Sequence, residues 1–457
     1  MATKIKPVRC PNCGSGKHIQ LDEKRYRCRN CGTEYYLDDD DININVNHHF
    51  DYDTRRPKYT AAGSSFENAT YRWFLVGFLI VGLFLFLLNT CDHATGSLLS
   101  GDKDSVEVHD NYTALVPMLH KGRPCFFYLC ERRFGYGYMQ KKEKPDGLYY
   151  GFRDASTEEV LADKLLISKD DDEKRGSSFN LYAASIAYFH QAGRWYMAVP
   201  KRFIYVINPD TLGMTNVSKT IFAGKKAMET GMSWVELLDR SSGEGFKVTN
   251  NLAETYYFFP ATGRLYTEDA FAFASKLTPA ELNGEVRDSV CYRLEKVNAS
   301  SSTSSGGKYR IWRIQYKFHL GDPQDADFLR TDVRKDNYDE GKRLVGFQPI
   351  SDWFSAFDAQ IVYQDNRYIL IAYHPNIDDD ATTVFQLRDT RGRIVWTQAP
   401  EIRIEVNGTI RGDKQIWLRG TRRYSSKSDE DYCYSLDLCK GTWVCHYLFP
   451  TEYKIAE

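Results

Sequence analysis

Four cysteines near the N-terminus form two Cys-x-x-Cys pairs, Cys10 with Cys13 and Cys28 with Cys31. A glycine follows each pair and permits the tight backbone turn that brings two thiolates toward one point. Two such pairs separated by fourteen residues have the spacing of a tetrahedral four-thiolate zinc site. Because four protein ligands leave no position for water, the spacing predicts a structural Zn²⁺ rather than a catalytic one.

The motifs around these pairs, Cys-Pro-Asn-Cys-Gly and Arg-Cys-Arg-Asn-Cys-Gly, resemble the zinc ribbon family over residues 8–37. The resemblance implies a small domain over residues 1–37 that depends on its metal for folding. Zinc ribbons often bind nucleic acid, and residues 1–36 carry eight Lys/Arg against three acids. The acidic run Asp38–Asp41 follows directly, so we expect a protein contact or a structural role ahead of nucleic-acid binding.

A second pair of cysteines, Cys433 and Cys445, flanks an Asp437–Gly441 turn near the C-terminus. If this turn closes a hairpin, the two thiols lie opposite each other and could form a disulfide bond. Free thiols in an apolar core are the alternative. The familiar catalytic signatures, such as His-Glu-x-x-His, Gly-x-Ser-x-Gly and the phosphate-binding glycine loop, do not occur in the sequence.

An apolar run without charged side chains extends from Trp73 to Cys91. Nineteen residues of helix span about 28 Å, close to the ~30 Å hydrocarbon core of a bilayer. The run predicts a transmembrane helix over residues 71–91, with an acidic and polar linker over 38–70 before it and a juxtamembrane linker over 92–104 after it. A buried core helix is the alternative.

Basic residues precede this run and aspartates follow it, which favours a cytoplasmic N-terminus. A reducing compartment also suits four zinc-binding thiolates. We therefore expect a single-pass protein of the cell (inner) membrane whose C-terminal domain is extracytoplasmic, and periplasmic if the source is bacterial.

Residues 105–457 alternate strand-like segments with Asp/Thr/Gly turns, as at Pro209–Gly213, Pro260–Gly263, Asp389–Gly392 and Asp437–Gly441. The turn glycines recur about fifty residues apart, a spacing typical of four-stranded propeller blades. These hairpins loosely resemble those of quinoprotein-like β-propellers. The resemblance implies a mainly β chain with a propeller of six or seven blades over residues 105–457. The motif Thr278-Pro279-Ala280-Glu281 matches a helix N-terminal capping box and predicts a short helical insertion near 267–297. A pair of two-sheet sandwiches is the alternative.

The sequence thus predicts a binding or scaffold module for a protein or glycan rather than an enzyme. Quinoprotein dehydrogenases carry a vicinal Cys-Cys pair, and this sequence has none, so a bound quinone is not expected. Two alternatives stay open. One is an extracytoplasmic enzyme that acts on envelope polysaccharide through a propeller funnel, and the other is a membrane-tethered regulator whose zinc ribbon contacts nucleic acid.

Overall fold

The computed structural model describes residues 17–21, 25–29, 34–36, 105–136, 143–174, 184–201, 203–282, 285–298, 306–326, 343–378, 381–422, 430–446 and 449–456. Strands dominate these residues, in agreement with the expected mainly β class. Two short α-helices accompany them, α1 (Lys169–Lys174) and α2 (Glu268–Ser275). Thr267 caps α2 by accepting a hydrogen bond from the N–H of Ala270.

The N-terminal sheet has three antiparallel strands in chain order, β1 (His18–Gln20), β2 (Arg25–Cys28) and β3 (Glu34–Tyr36). His18 pairs with Cys28 across the first two strands. Cys28 is buried in one apolar cluster with core residues of the large β region, and Tyr26 packs against that cluster. This contact joins two parts of the chain that a membrane helix was expected to separate.

Sheet A has five antiparallel strands in the order β27-β4-β5-β6-β7. The C-terminal strand therefore pairs with the first strand of the large region. The strand bounds are β4 (Ser105–His120), β5 (Arg123–Gly135), β6 (Gly147–Asp154), β7 (Val160–Ser168) and β27 (Glu452–Ala456).

Sheets B, C and E each contain four antiparallel strands that follow one another in the chain. Sheet B comprises β8 (Ser185–Phe189), β9 (Arg194–Val199), β10 (Phe203–Asn208) and β11 (Gly213–Asn216). Sheet C comprises β12 (Met232–Leu237), β13 (Phe246–Asn250), β14 (Thr255–Phe259) and β15 (Arg264–Thr267). Sheet E comprises β23 (Ile404–Arg411), β24 (Gln415–Arg422), β25 (Glu430–Asp437) and β26 (Trp443–His446).

Sheet D is the largest, with seven strands. Its strands are β16 (Val286–Asn298), β17 (Gly306–His319), β18 (Leu344–Pro349), β19 (Phe354–Gln364), β20 (Tyr368–His374), β21 (Val384–Asp389) and β22 (Ile394–Gln398). One edge of strand β17 pairs with β16. The other edge pairs with two strands, because Gly306–Tyr309 pair with β19 whereas Trp312–Tyr316 pair with β18.

The core consists of apolar clusters shared between sheets. Separate clusters join sheet A to sheet B, sheet B to sheet C, sheet D to sheet E, and sheet E to sheet A. Aromatic side chains that alternate along the strands fill these clusters, as Phe127 and Phe152 do between sheets A and B.

The prediction of a six- or seven-bladed β-propeller is wrong. The described residues form several separate sheets of three, four, five and seven strands, and no closed or propeller sheet was found. The turn spacing identified hairpins correctly, since Gly263, Gly392 and Gly441 adopt the positive φ that these turns require. However, hairpin spacing does not determine how many strands join one sheet, and the long β16–β17 pair breaks the four-strand pattern.

The predicted membrane helix also requires correction. No helix in the described ranges is long and apolar enough to cross a membrane. At about 1.5 Å per residue, even the eight-residue α2 is only about 12 Å long. Residues 71–91, on which the prediction was based, lie outside the described residues, as do both linkers.

The helical insertion predicted near 267–297 is shorter than expected. Helix α2 ends at Ser275, and β16 begins at Val286. The predicted capping motif at Thr278–Glu281 is present, because Glu281 accepts hydrogen bonds from the N–H and hydroxyl of Thr278. It closes a turn, since strand β16 begins before a helix could extend.

Candidate functional site

Of the four predicted zinc ligands, Cys28 alone lies within the described residues. It ends β2 and is 1% exposed. Cys10, Cys13 and Cys31 lie outside the described ranges, in which no group of three or more potential metal ligands was found. A metal site is therefore not part of the described structure, and the zinc assignment of these cysteines stays a prediction.

The predicted partners Cys433 and Cys445 are offset by one residue. The register of β25 and β26 places His446 opposite Cys433 and Tyr434 opposite Cys445. Cys433 is buried, Cys445 is exposed, and both are free thiols. The offset arises because the N–H of Asp437 bonds to the carbonyl of Thr442, which lengthens the turn by one residue.

A large depression in the described structure lies on sheet D and has a volume of about 1,670 Å³. We call it the sheet D cleft. It extends from β16 and β17, past the segment between β18 and β19, to the β21–β22 hairpin. It thus lies where β17 divides its pairing between two strands.

Arg388, on β21, is the most deeply buried cation of the cleft, with 7% of its surface exposed. Its Nε donates to Oε1 of Gln386 at 2.7 Å, and its Nη1 donates to the carbonyl of Gly392 at 2.9 Å. The guanidinium also lies 5.2 Å from the centre of the Phe354 ring. No carboxylate among the described residues forms an ion pair with it.

Burial lowers the pKa of Arg388 to about 10. The side chain therefore remains positively charged at neutral pH, although desolvation disfavours the charge. A buried cation without an ion-pair partner is costly to the fold. The charge of Asp352 offsets this cost in part, and an anionic ligand in the cleft would supply further negative charge.

A second feature of the cleft is a layered group of aromatic rings and one arginine. The Arg310 guanidinium lies 4.8 Å from the ring centre of Trp312 and 4.4 Å from that of Trp353. Glu295 fixes this arrangement by accepting hydrogen bonds from Arg310 at 2.7 Å and from Trp312 at 2.6 Å. Trp353 remains 39% exposed and presents an aromatic surface to the cleft.

The charge of the cleft is predominantly positive. Its described lining contains one carboxylate, Asp352, and six cationic side chains, which are Lys17, Arg310, Arg313, Arg388, Arg391 and Arg393. Glu295 and Asp389 pair with Arg310 and Arg393, and positive charge remains in excess. Neutral hydrogen-bonding side chains lie between the charges, namely Gln348, Ser351, Asn366, Thr390, Thr397 and Gln398.

Sequence reasoning did not find this site. The segment Asp389–Arg393 was recognised as a hairpin turn, but its arginines were not singled out. The other cleft residues on sheet D come from strands that are up to about 100 residues apart in sequence, from β16 to β22. Only the fold of sheet D brings them together. The one signal available was the local arginine density of the Asp-Thr-Arg-Gly-Arg turn.

Comparison with known proteins adds no family, since no family model matches the chain and no curated protein matches it.

Proposed function

We propose that this protein is a binding module and that the sheet D cleft recognises an acidic glycan. The observation that carries the proposal is Arg388, a buried cation that faces a large cleft without an ion-pair partner among the described residues. A guanidinium presents parallel N–H groups that match a carboxylate. The acidic group of a uronic acid is such a carboxylate.

The remainder of the lining supports a sugar as the body of the ligand. Exposed aromatic rings bind the apolar faces of sugar rings, and Trp353 offers such a ring. Sugar hydroxyls both donate and accept hydrogen bonds, and side chains such as Gln348 and Gln398 can do the same. A volume of about 1,670 Å³ leaves room for several linked sugar rings.

Binding is a better match to the cleft than catalysis. Most glycoside hydrolases need two carboxyl groups that flank the bond to be broken. Asp352 is the single carboxyl side chain among the described lining residues. The excess of arginine over acid instead favours retention of an anionic chain.

The proposal is tested by titrating the full-length chain with an oligogalacturonate of six sugars while tryptophan fluorescence is recorded. A neutral gluco-oligosaccharide of the same length is the matched control. We expect the acidic ligand to change the tryptophan emission, because Trp353 lies in the cleft, and to bind more weakly as salt is raised. Equal binding of the neutral ligand, or no binding of either, would overturn the proposal. Binding of an acidic peptide in place of both sugars would identify a protein partner instead.

A further inference from the structure

Sheet A contains a second, smaller cavity of about 380 Å³ that the proposed function does not use. Its lining comes from strands β4 to β7 and from the C-terminal strand β27. Its apolar wall includes Val108, Phe134 and Ile455, and its polar wall includes Arg132 and Arg153. The volume lies near the lower end of the range for small-molecule sites, about 300–1,000 Å³.

Arg132 is already neutralised. Its Nε donates to Oδ1 of Asp110 at 2.7 Å, and its Nη1 donates to Oδ2 of Asp163 at 2.5 Å. The hydroxyl of Tyr128 donates to Asp163 at 2.7 Å, and that of Tyr453 donates to Asp110 at 3.1 Å. These bonds fix both carboxylates and hold β27 against the cavity.

Arg153 is not neutralised. Its Nε is buried and has no hydrogen-bond partner. Within the part of the chain that the structure describes, its guanidinium takes part in no ion pair. A buried guanidinium nitrogen without an acceptor is unfavourable, and the two nearby carboxylates already bind Arg132.

The charge balance around the cavity leaves one positive charge uncompensated. Arg132, Arg153 and Lys144 carry positive charge there, whereas Asp110 and Asp163 carry negative charge. A ligand with one negative charge would restore neutrality. The apolar wall favours a ligand whose remaining atoms are hydrophobic.

From this arrangement we propose that the sheet A cavity binds a small monocarboxylate with an apolar body, such as an aromatic carboxylic acid. The carboxylate would accept hydrogen bonds from Arg153, and the apolar body would contact Val108, Phe134 and Ile455. This site is separate from the sheet D cleft and does not depend on the function proposed for it.

The test uses benzoate as the probe and benzamide as its neutral match, with the full-length chain and isothermal titration calorimetry. We expect benzoate to bind and benzamide to bind at least about tenfold more weakly, because the neutral amide cannot form the charge-paired hydrogen bonds that a carboxylate accepts from Arg153. Arg153→Gln should reduce benzoate affinity by about tenfold or more, and Arg153→Lys should reduce it less.

Arg388→Gln is the control for the other site and should leave benzoate affinity unchanged. Circular dichroism melting verifies that each variant is folded, and Arg153→Lys keeps the test valid if Arg153→Gln does not fold. Three results would overturn the proposal: no benzoate binding at millimolar concentration, equal binding of benzamide, or unchanged affinity in both Arg153 variants. Displacement of benzoate by inorganic phosphate at equal concentration would also overturn the preference for a carboxylate.

Discussion

The carbonyl oxygen of Gly392 accepts a hydrogen bond of 2.9 Å from Nη1 of Arg388, four residues earlier in the same hairpin. This bond holds the guanidinium in the sheet D cleft. Gly392 can supply it because its φ is +81°, a conformation that side chains with a Cβ rarely adopt. The turn and the charged group of the cleft are therefore one structural unit.

Gly392→Ala should destabilise the protein by about 2 kcal/mol or more and weaken ligand binding in the cleft. A Cβ at this position would lie 1.8 Å from the carbonyl oxygen of Ile350. Gly122→Ala is the matched control, since Gly122 has a φ of +79° but open space around it. Urea unfolding should show a loss of about 1 kcal/mol for the control. Equal losses for the two variants would contradict the predicted clash.

Asp365→Asn should lower the free energy of unfolding by about 1–3 kcal/mol at neutral pH. Burial alone would raise the pKa of Asp365, but hydrogen bonds from the N–H of Arg367, the hydroxyl of Tyr363 and the N–H of Tyr368 hold it below its usual value. Arg411 also donates to this carboxylate.

Because the folded pKa of Asp365 is lowered, its contribution is fully present above the unfolded pKa of 3.8 and is lost as pH falls through the folded pKa. The difference between wild type and Asp365→Asn should therefore shrink in acid. Asp413→Asn, at an exposed position, is the control and should change stability little. A difference that persists at low pH would argue against this ionised network.

Tyr453→Phe should cost about 1 kcal/mol, because it removes the hydrogen bond to Asp110 and little else. The loss should appear in hydrogen exchange as faster exchange of amides in β27 and its partner β4. Tyr188→Phe, at an exposed tyrosine of sheet B, provides a comparison that should leave β27 unaffected. Unchanged exchange in β27 would mean that strand pairing alone anchors the C-terminus.

The rate of thiol labelling should distinguish the exposed cysteines from the buried ones. Burial raises the pKa of Cys125 to about 12 and that of Cys433 well above its usual value, so both should resist iodoacetamide at pH 8 in the folded protein. Cys439 is exposed and should react readily. Mass spectrometry of the labelled peptides reads out each site. Labelling of Cys433 as fast as Cys439 would contradict the packing between sheets A and E.

Local features of this fold were accessible from the sequence, whereas its assembly was not. The Asp389–Gly392 and Asp437–Gly441 turns were predicted, because positive φ at glycine leaves a sequence signal. The predicted register of β25 and β26 was wrong by one residue, since the hydrogen bond from the N–H of Asp437 to the carbonyl of Thr442 sets the turn length. No local pattern indicated that β17 would divide its pairing between β18 and β19.

The candidate site was missed for the same reason. Arg310 and Arg388 are far apart in sequence, and each is unremarkable within its own strand. Their functional interest depends on burial and on the presence or lack of an acidic partner. Glu295 pairs with Arg310, whereas no carboxylate in the described structure pairs with Arg388, and sequence patterns do not report such a difference.

The most direct test of the central claim is calorimetric titration of wild type, Arg388→Gln and Arg133→Gln with the six-sugar oligogalacturonate. Arg133 is exposed on sheet A, so Arg133→Gln removes one positive charge at a position outside the cleft. We predict that Arg388→Gln weakens binding by about tenfold or more, while Arg133→Gln binds as wild type does. Equal affinities for all three proteins would contradict the assignment of the sheet D cleft as the binding site.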